Sequence, residues 1–487
     1  MAENIFNKTK EYKMIKLLEE SGYRAYFVGG CVRDYLISNK NNNFKFEDID
    51  IATNASPEEA LAVLNPHFSN FNLVGKNFGV LMVEDVEIAQ LRGEVYQENS
   101  KGKPMVSPVN SIEDDSRRRD FTMNSIYMDV NGEIIDSNDG IKDIDSKLVR
   151  SVGEPEERFK EDPSRILRLF YLASRFNFQI DKVTLQATVN QKHLIKQIPN
   201  ALVGKITKKV LSHNVLSKYL EMLHSAKLLS KVYPEFAHTL NKRQNPKYHY
   251  TDVFGHTIAV IKAAEKAFPG DEEMLMKAWC HDIGKGLEGV REVSSDGHIS
   301  DIGHEFAGAP ISKKLCLRLE FGKDFANEVF FSTKWHGVRF QKGFKLRSYL
   351  KIGRKLAEDC SSKPELERRT KSLLALMGLD AEGFQEDFKK EIKESLSQGE
   401  NLLSVIKSEP MFVKELPISG NVVSAMWTKK ENIKQTGFAL NQLLKERPRS
   451  EEEAILMAQR IVNKIESEQA PVPKKVSISS PKTKHKK

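Results

Sequence analysis

Two acidic residues, Asp48 and Asp50, alternate with Ile49 and Ile51 in the segment EDIDIAT. Because successive side chains of a β-strand point to opposite faces, both carboxylates should project from one face while the isoleucines enter a core. Mg²⁺ in proteins is commonly held by one or two carboxylates together with waters and substrate phosphates. The spacing therefore predicts a strand-borne magnesium site for phosphate chemistry, although an isolated DxD is more often a solvated strand edge.

A glycine corner precedes this acidic pair. The segment YFVGGCVRDYL runs from an apolar strand into Gly29 and Gly30, and Arg33 follows where a helix should begin. Glycine lets the backbone approach a bound group closely, and a helix N-terminus attracts anions. We therefore expect Gly29, Gly30 and Arg33 to bind a triphosphate whose α-phosphate undergoes in-line displacement beside the two carboxylates.

A second polar segment, SRRRDFTMN, contains Arg119, Asp120 and Asn124. The guanidinium of Arg119 can donate to phosphate, and the carboxylate of Asp120 can accept from a ribose 2′-hydroxyl, the group that distinguishes RNA precursors from DNA precursors. Asn124 is expected to support the same corner. Taken alone, the run of arginines would more often be a solvated surface.

A third polar set lies in EDPSRILRLFYLASRF, where Glu161, Asp162, Arg165 and Arg168 have the spacing of one stripe on a helix that starts near Asp162. A carboxylate and a guanidinium on a rigid helix can imitate the hydrogen-bonding edge of a nucleobase. The stripe therefore predicts a base-selecting group. The alternative is an ordinary surface ion pair of small energetic effect.

The order GGxVRD, DxDxAT, RRDxTxN and EDxxR resembles the head of the class II tRNA nucleotidyltransferase and bacterial poly(A) polymerase family from about Tyr23 to Phe176. The resemblance implies a DNA polymerase β-like head, Mg²⁺ as cofactor, ATP and CTP as nucleotides, and template-independent addition of CCA to tRNA. Asp48 and Asp50 match the catalytic carboxylates, and Asp162 and Arg165 match the base-selecting positions. The alternatives are a poly(A) polymerase or an enzyme that adds only CC or only A.

Two features depart from the family pattern. An Asn-rich segment precedes Asp48 without the usual glycine turn, and the family's flexible loop carries Lys101 and Lys103 where arginines are common. Glu87, on a predicted strand near the acidic pair, is either a third carboxylate or a plain exposed strand residue.

A different set of potential metal ligands follows downstream, comprising His256, His281, Asp282 and Asp380. Two imidazoles and two carboxylates suit a divalent ion whose identity the sequence leaves open. Their order resembles the HD phosphohydrolase pattern H…HD…D, which implies hydrolysis at RNA ends. Further metal ligands or phosphate-binding groups could come from His304 and His336. The alternatives are buried hydrogen-bonding histidines without activity, or an active hydrolase attached to a non-catalytic RNA-binding head.

The periodicity predicts an α/β head followed by an all-α remainder. The resemblance implies a mixed sheet in the head and a neck, body and HD region among the helices. We expect five parts: the head at 1–152, a helical nucleotide-selection and RNA-binding region at 153–240, an HD-type domain at 241–387, a helical region at 388–470, and a disordered basic tail at 471–487. Basic helix faces suggest RNA contacts at two places: Arg347, Lys351, Arg354 and Lys355, and Lys205, Lys208 and Lys209.

The four cysteines form no CxxC pair, which argues against a disulfide framework or a cysteine zinc site. No apolar run reaches the roughly 18 residues of a membrane span, and the N-terminal residues lack a signal-peptide pattern. We therefore expect a cytoplasmic protein without a membrane partner. The net charge of +8 includes six lysines in the tail, so the rest of the chain is only weakly basic. The sequence leaves the oligomeric state open.

Overall fold

The computed structural model describes residues 6–38, 48–74, 79–95 and 105–468. The Asn-rich segment before Asp48, Lys101 and Lys103 of the predicted flexible loop, and the predicted basic tail lie outside these ranges. The chain has two compact units, Met1–His336 with Leu379–Phe388, and Gly337–Gly378 with Lys389–Lys487.

The head contains the following elements: α1 Lys10–Glu20, β1 Ala25–Val28, α2 Gly30–Ile37, β2 Asp50–Thr53, α3 Pro57–Leu64, β3 Phe71–Val74, β4 Val80–Val83, β5 Val86–Gln90, β6 Arg92–Val95, β7 Met105–Pro108, α4 Ile112–Arg117, β8 Ile126–Met128, β9 Ile134–Asp136, α5 Gly140–Asp145 and β10 Leu148–Val149. Short β-branched and aromatic runs form the strands, as expected. The α3 helix begins as its sequence dictates, because Ser56 and Glu59 form a capping box with Pro57 in the first turn.

Seven strands form one sheet in the order β3-β4-β5-β2-β1-β8-β9. Strands β2 and β5 pair in parallel, whereas their neighbours pair antiparallel, so the predicted mixed sheet is confirmed. Phe27, Ile51 and Ile88 are fully or almost fully buried in its core. Asp50 pairs with Val28 at the end of β1, directly before the glycine corner. The hairpin of β6 and β7 was not predicted.

Helices dominate the rest of the first unit: α6 Pro155–Glu161, α7 Ser164–Phe176, β11 Gln179–Ile180, α8 Lys182–Asn190, α9 Asn200–Ser212, α10 Leu216–Ser225, α11 Leu229–Val232, α12 Val253–Ala267, α13 Glu272–Cys280, β12 Glu292–Val293, β13 Ile299–Ser300, α14 His304–Arg318 and α15 Lys323–Trp335. The helical region is confirmed. It also contains three two-residue strands that the all-α expectation omitted, because such short pairings leave no periodic signal.

The remaining helices are α16 Leu346–Ala357, α17 Lys363–Asp380, α18 Glu386–Leu396, α19 Gly399–Ser408, α20 Gly420–Ser424, α21 Thr436–Glu446 and α22 Glu451–Glu468. Short 3₁₀ turns occur at Thr122–Asn124, Lys192–Gln197, Pro234–Phe236, Ala381–Gly383, Val413–Glu415 and Lys430–Gln435. Buried Val423, Leu443 and Val462 belong to an apolar core within the second unit. Among the described helices, none combines the length and apolar character that crossing a bilayer requires.

Candidate functional site

A cavity of about 470 Å³ lies between the head and helices α7 and α9. Its lining includes these predicted site residues: Gly30, Arg33, Asp48, Asp50, Asp120, Asn124 and Arg168. Four separate sequence segments therefore converge on one cavity. The other predicted residues, Gly29, Arg119, Asp162 and Arg165, lie outside this lining.

The acidic pair differs in one respect from the sequence expectation. Strand β2 begins at Asp50, so Asp48 precedes the strand instead of lying within it. Both residues nevertheless line the cavity, Asp48 exposed and Asp50 half-buried. Burial raises the pKa of Asp50 to about 6, and the negative charges of Glu87 and Asp48 act in the same direction. A cation bound between these carboxylates would relieve that repulsion.

Glu87 lies on β5, which pairs in parallel with β2 through Ile88 and Ile51. Its side chain is exposed, and its charge raises the pKa of Asp50 more than that of Asp48 does. The pairing of two parallel strands therefore brings a third carboxylate close to Asp50. From the sequence alone, a third carboxylate at the site was only one of two interpretations of Glu87.

The glycine corner is a real backbone requirement. Gly29 has φ +75° and caps α2, a conformation that disfavours other residues. A Cβ atom at this position would also come within 3.4 Å of Nη1 of Arg119. Arg119 itself donates from Nε and Nη2 to Asp115 Oδ2 at 3.2 and 3.1 Å, and from Nε to the Tyr127 hydroxyl at 2.9 Å. Arg119 thus lies next to the glycine corner, and its guanidinium already donates to Asp115 and Tyr127.

Arg33 is the guanidinium of α2 that lines the cavity. Its Nε donates to Asp34 Oδ1 and its Nη1 to Asn124 Oδ1, each at 2.6 Å. The guanidinium carbon also lies 4.8 Å from the ring centroid of Phe176. These contacts hold Arg33 in one orientation, and the supporting role of Asn124 stays a prediction.

Asp120 connects the 3₁₀ turn to α7. Its Oδ1 accepts from Asn124 Nδ2 at 3.0 Å, and its Oδ2 lies 3.2 Å from Nε of Arg168. Burial alone would raise the pKa of Asp120, but the Arg168 charge and the Asn124 hydrogen bond hold it below the usual value. The cavity wall therefore carries an ionised acceptor beside a guanidinium.

The EDPSR segment is not one continuous helix. Helix α6 ends at Glu161 and α7 begins at Ser164, and Asp162 between them has extended angles of φ −139° and ψ 95°. The prediction of one stripe on one helix is wrong, because the residue before a proline is disfavoured in the helical region. Pro163 therefore separates Asp162 from α7.

This break changes the ion pairs. Asp162 Oδ2 accepts from Arg168 Nη2 at 2.9 Å. Arg165 is buried and donates to Glu161 Oε2 at 3.0 Å and to the Arg118 carbonyl at 2.8 Å. Within the described residues, Asp162 pairs with Arg168 and not with Arg165. Arg168 therefore joins Asp162 to Asp120 at the cavity.

The sequence reasoning did not identify several polar residues of α7 and α9 as part of this site. The lining also includes Tyr171, Arg175, Lys205, Lys209 and His213. The Tyr171 hydroxyl lies 3.3 Å from Nδ1 of His213. Both lysines were expected to contact RNA, but placing them at this cavity requires knowledge of how α7 packs on α9.

The predicted histidine and aspartate ligands form a buried cluster. Nε2 of His256 lies 2.9 Å from Asp380 Oδ1, 3.2 Å from Nε2 of His281 and 3.4 Å from Asp282 Oδ2. His256 lies on α12, His281 and Asp282 directly follow the end of α13, and Asp380 ends α17, 124 residues after His256. The structure thus brings all four predicted ligands together.

His304 and His336 complete a second group around the other oxygen of Asp282. Their Nε2 atoms lie 3.0 and 3.5 Å from Asp282 Oδ1 and 3.2 Å from each other. Two sets of three residues, each with ligand atoms within 4.8 Å, therefore share Asp282. Burial alone would raise the pKa of Asp282, but Lys285 and His281 hold it well below its usual value.

The four imidazoles are oriented in the same way. Each Nδ1 lies 2.7–3.0 Å from a backbone carbonyl oxygen: His256 with Gly383, His281 with Ala278, His304 with Asp301, and His336 with Thr333. A proton on Nδ1 leaves the Nε2 lone pair directed at the centre of the cluster, as metal ligation requires. A second cavity of about 420 Å³, lined by His249, Lys285 and His304 among others, adjoins the cluster.

The basic stripe predicted on α16 is only partly exposed to solvent. Arg347, Lys351 and Lys355 are exposed, whereas Arg354 is half-buried and lies 3.4 Å from the Pro410 carbonyl. Its role in RNA contact stays a prediction.

The mixed sheet of the head places Asp50 beside the glycine corner at Gly29 and Gly30. Residues 25–150 match the family model described as poly A polymerase head domain. The resemblance to the tRNA nucleotidyltransferase and poly(A) polymerase family is therefore confirmed for the head.

Two bacterial relatives extend the comparison. The CCA-adding enzyme of Staphylococcus epidermidis is 34% identical over 236 residues, which cover 48% of this chain and 56% of that protein. The CCA-adding enzyme of Streptococcus pyogenes is 37% identical over 193 residues, covering 39% and 46% respectively. The chain thus spans about half the length of the relatives it matches.

Solved structures show the same fold at lower identity. The Bacillus stearothermophilus CCA-adding enzyme in complex with CTP has a TM-score of 0.54 at 21% identity, covering 96% of this chain and all of that one. A tRNA nucleotidyltransferase complexed with a primer tRNA and an incoming ATP analog has a TM-score of 0.52 at 21% identity, covering 80% and 99%. The α/β head followed by helices is the fold of these proteins.

Proposed function

We propose that this protein adds CCA to the 3′ end of tRNA from CTP and ATP without a template and releases pyrophosphate. The observation that carries the proposal is the convergence of Asp48, Asp50, Arg33, Asp120 and Arg168 on one cavity. The relatives named CCA-adding enzymes support it. The proposed partners are tRNA, ATP and CTP, and the proposed location is the cytoplasm.

Asp48 and Asp50 are the proposed catalytic carboxylates and magnesium ligands. Their donor atoms are all oxygens, and the crowding that raises the pKa of Asp50 favours a bound cation, so the residues fit Mg²⁺. Bound there, Mg²⁺ would supply activation of the RNA 3′-hydroxyl and stabilisation of the pyrophosphate leaving group.

The surrounding residues bind and orient the nucleotide in this proposal. Gly29 and Gly30 let the triphosphate approach the backbone, and Arg33, held by Asp34 and Asn124, donates to it. Asp120 accepts from the ribose 2′-hydroxyl. Arg119 fixes the glycine corner from behind through its contacts with Asp115 and Tyr127.

Asp162, Arg165 and Arg168 form the proposed base-selecting group. Arg168 reaches the cavity, oriented by Asp120 and Asp162. Arg165 is bound to Glu161 and the Arg118 carbonyl, so reading a base with Arg165 requires the α6–α7 corner to rearrange when a nucleotide binds.

Extension of tRNA that lacks its 3′ CCA, with each nucleotide supplied separately and together, tests the proposal. CTP plus ATP should add C, C and A, whereas ATP alone should add little. Long adenosine tails from ATP alone would identify a poly(A) polymerase, and products that stop at CC or accept only A would identify a partial enzyme. No extension at all would favour a hydrolase with a non-catalytic head.

The histidine cluster supports a second candidate function, an HD-type phosphohydrolase acting on RNA ends. Two ligand groups that share Asp282, with imidazoles already oriented, fit divalent ions bound by nitrogen and oxygen. Such ions would supply polarisation of a phosphate ester. Lys285, whose Nζ lies 2.8 Å from Asp282 Oδ2, would orient that carboxylate.

Release of phosphate from RNA ending in a 2′-phosphate, and opening of a 2′,3′-cyclic phosphate, test this second function with magnesium, manganese, nickel or cobalt. Hydrolysis that depends on one of these ions would support the second function. If no ion supports hydrolysis, the histidine cluster is structural.

The proposed division of the chain has five parts, at 1–152, 153–240, 241–387, 388–470 and 471–487.

A further inference from the structure

One face of helix α9 points to the nucleotide cavity. Lys205, Lys209 and Ser212 are spaced at i, i+4 and i+7, and all three line that cavity opposite the head. The neighbouring Lys208 points elsewhere, because its Nζ donates to the Glu320 carbonyl at 2.8 Å and lies 5.1 Å from the Phe321 ring centroid. Lys205 and Lys209 therefore face the cavity, whereas Lys208 does not.

Packing on its other side fixes the orientation of α9. A Cβ atom at Gly204 would lie 2.1 Å from the Leu319 carbonyl oxygen, so only glycine allows this close approach. Thr207, one turn further along, is buried and its hydroxyl lies 2.8 Å from that of Tyr233. The lysines are thus displayed by a helix that cannot rotate without losing this packing.

The cations of the cavity differ in how they are engaged. Arg33 and Arg175 contact Asp34, and Arg168 contacts Asp120 and Asp162. Among the residues that the structure describes, neither Lys205 nor Lys209 donates a hydrogen bond or forms an ion pair through its ammonium group.

The positive charge of Lys209 also acts on Asp50 across the cavity. The two lysines are therefore available to an anion that enters beside the carboxylates.

We propose that Lys209, assisted by Lys205, binds phosphate groups of the substrates opposite Asp48 and Asp50. The phosphates belong either to the polyphosphate of the nucleotide or to the 3′-terminal phosphodiester of the RNA. A lysine ammonium binds phosphate as a mobile point charge, which suits a site that must accept successive substrates. This inference rests on the proposed nucleotidyltransferase function and assigns to it a helix outside the head.

Binding measurements on the full chain with magnesium test the assignment. The variants are Lys209→Ala, Lys205→Ala, the double variant and Lys209→Arg, and the control is Lys262→Ala, an exposed lysine paired with Glu221 on another helix. The probes are a non-hydrolysable CTP analogue, cytidine without phosphate, and tRNA lacking its 3′ CCA. Loss of one charge-assisted contact should weaken binding of the phosphate source by about tenfold, with cytidine unaffected and Lys209→Arg close to the parent.

Weaker binding of the CTP analogue in Lys209→Ala supports the assignment with the nucleotide as phosphate source. Weaker binding of tRNA alone supports it with the RNA as source. The assignment is overturned if the double variant binds the CTP analogue and the tRNA within twofold of Lys262→Ala. A parent protein that binds neither probe would overturn the proposed function itself, which separates the two failures.

Discussion

The cavity beside the head and the histidine cluster both gather carboxylates, but Asp50 in the cavity and Asp282 in the cluster have pKa values shifted in opposite directions. In the cavity, burial and neighbouring carboxylates raise the pKa of Asp50 to about 6. In the cluster, burial opposes ionisation of Asp282, yet Lys285 and His281 hold its pKa well below the usual value. The positive charges near Asp50 do not offset its burial and its neighbouring carboxylates, whereas Lys285 and His281 do so for Asp282.

Because the pKa values of Asp50 and Asp282 are shifted in opposite directions, the two sites require different ligands. The cavity needs a cation to compensate its carboxylates and has room for a nucleotide as well. The cluster presents preset imidazole and carboxylate ligands and needs no such compensation to keep Asp282 ionised. We therefore expect mutations and changes of pH to affect the activities of the two sites separately, and mutations at the two sites to shift the melting temperature in opposite directions.

The largest effect should come from Asp48→Asn. Removing a proposed magnesium ligand should lower CCA addition by about 10³-fold or more, because the charge developing in the reaction loses its main compensation. The extension assay measures this change, and hydrolysis at the histidine cluster should persist. Asp85→Asn, which alters an exposed carboxylate paired with Lys10, is the matched control. Equal extension by the two variants would remove Asp48 from the catalytic site.

A similarly specific loss is expected at the other site. His281→Ala should lower divalent-dependent phosphohydrolysis by about 100-fold or more, because it removes a ligand from one of the two groups. CCA addition should be unchanged. If the variant hydrolyses as fast as the parent, the cluster is structural.

Much of the head follows from local sequence, because strand alternation and the Ser56 capping box act over short distances. The break at Pro163 was also encoded locally, but the charged stripe favoured a single helix and concealed it. Local patterns cannot show that Arg168 pairs with Asp162 or that His304 and His336 meet at Asp282. The first contact depends on the backbone angles at Asp162, and the second depends on how separate helices pack.

A moderate effect should follow from Arg168→Ala. Without this guanidinium, Asp120 and Asp162 lose their common partner, so nucleotide affinity and discrimination between CTP and ATP should fall by roughly tenfold. Steady-state extension with each nucleotide measures both. Arg175→Ala, also a cavity arginine but paired with Asp34, serves for comparison. Unchanged discrimination would place base selection elsewhere.

Lower pH should separate the two sites as well. Metal binding requires an ionised carboxylate, so CCA addition should fall as the pH drops through about 6, the pKa of Asp50. A parent profile that stays flat to pH 5 would contradict this. The measurement is extension rate at saturating nucleotide across pH 5–8.

The smallest effects concern stability without divalent ions. A carboxyl whose pKa is raised on folding stabilises the protein below its unfolded pKa and loses that contribution as the pH rises through its folded pKa. At pH 7, Asp50→Asn should therefore raise the melting temperature, on the order of 1–3 °C.

Asp282 has the opposite sign. Its lowered pKa contributes stability above the unfolded value, so Asp282→Asn should lower the melting temperature at pH 7. Shifts of the same sign in both variants, measured by calorimetry in a chelator, would break the electrostatic contrast between the sites.

The central claim is that Asp48 and Asp50 jointly hold the metal that receives the triphosphate. Anomalous diffraction from crystals grown with Mn²⁺ and a non-hydrolysable CTP analogue tests it most directly. The account predicts a manganese peak in contact with both carboxylates and the triphosphate oxygens. Diverging side chains, or triphosphate bound without a metal at this position, would contradict it.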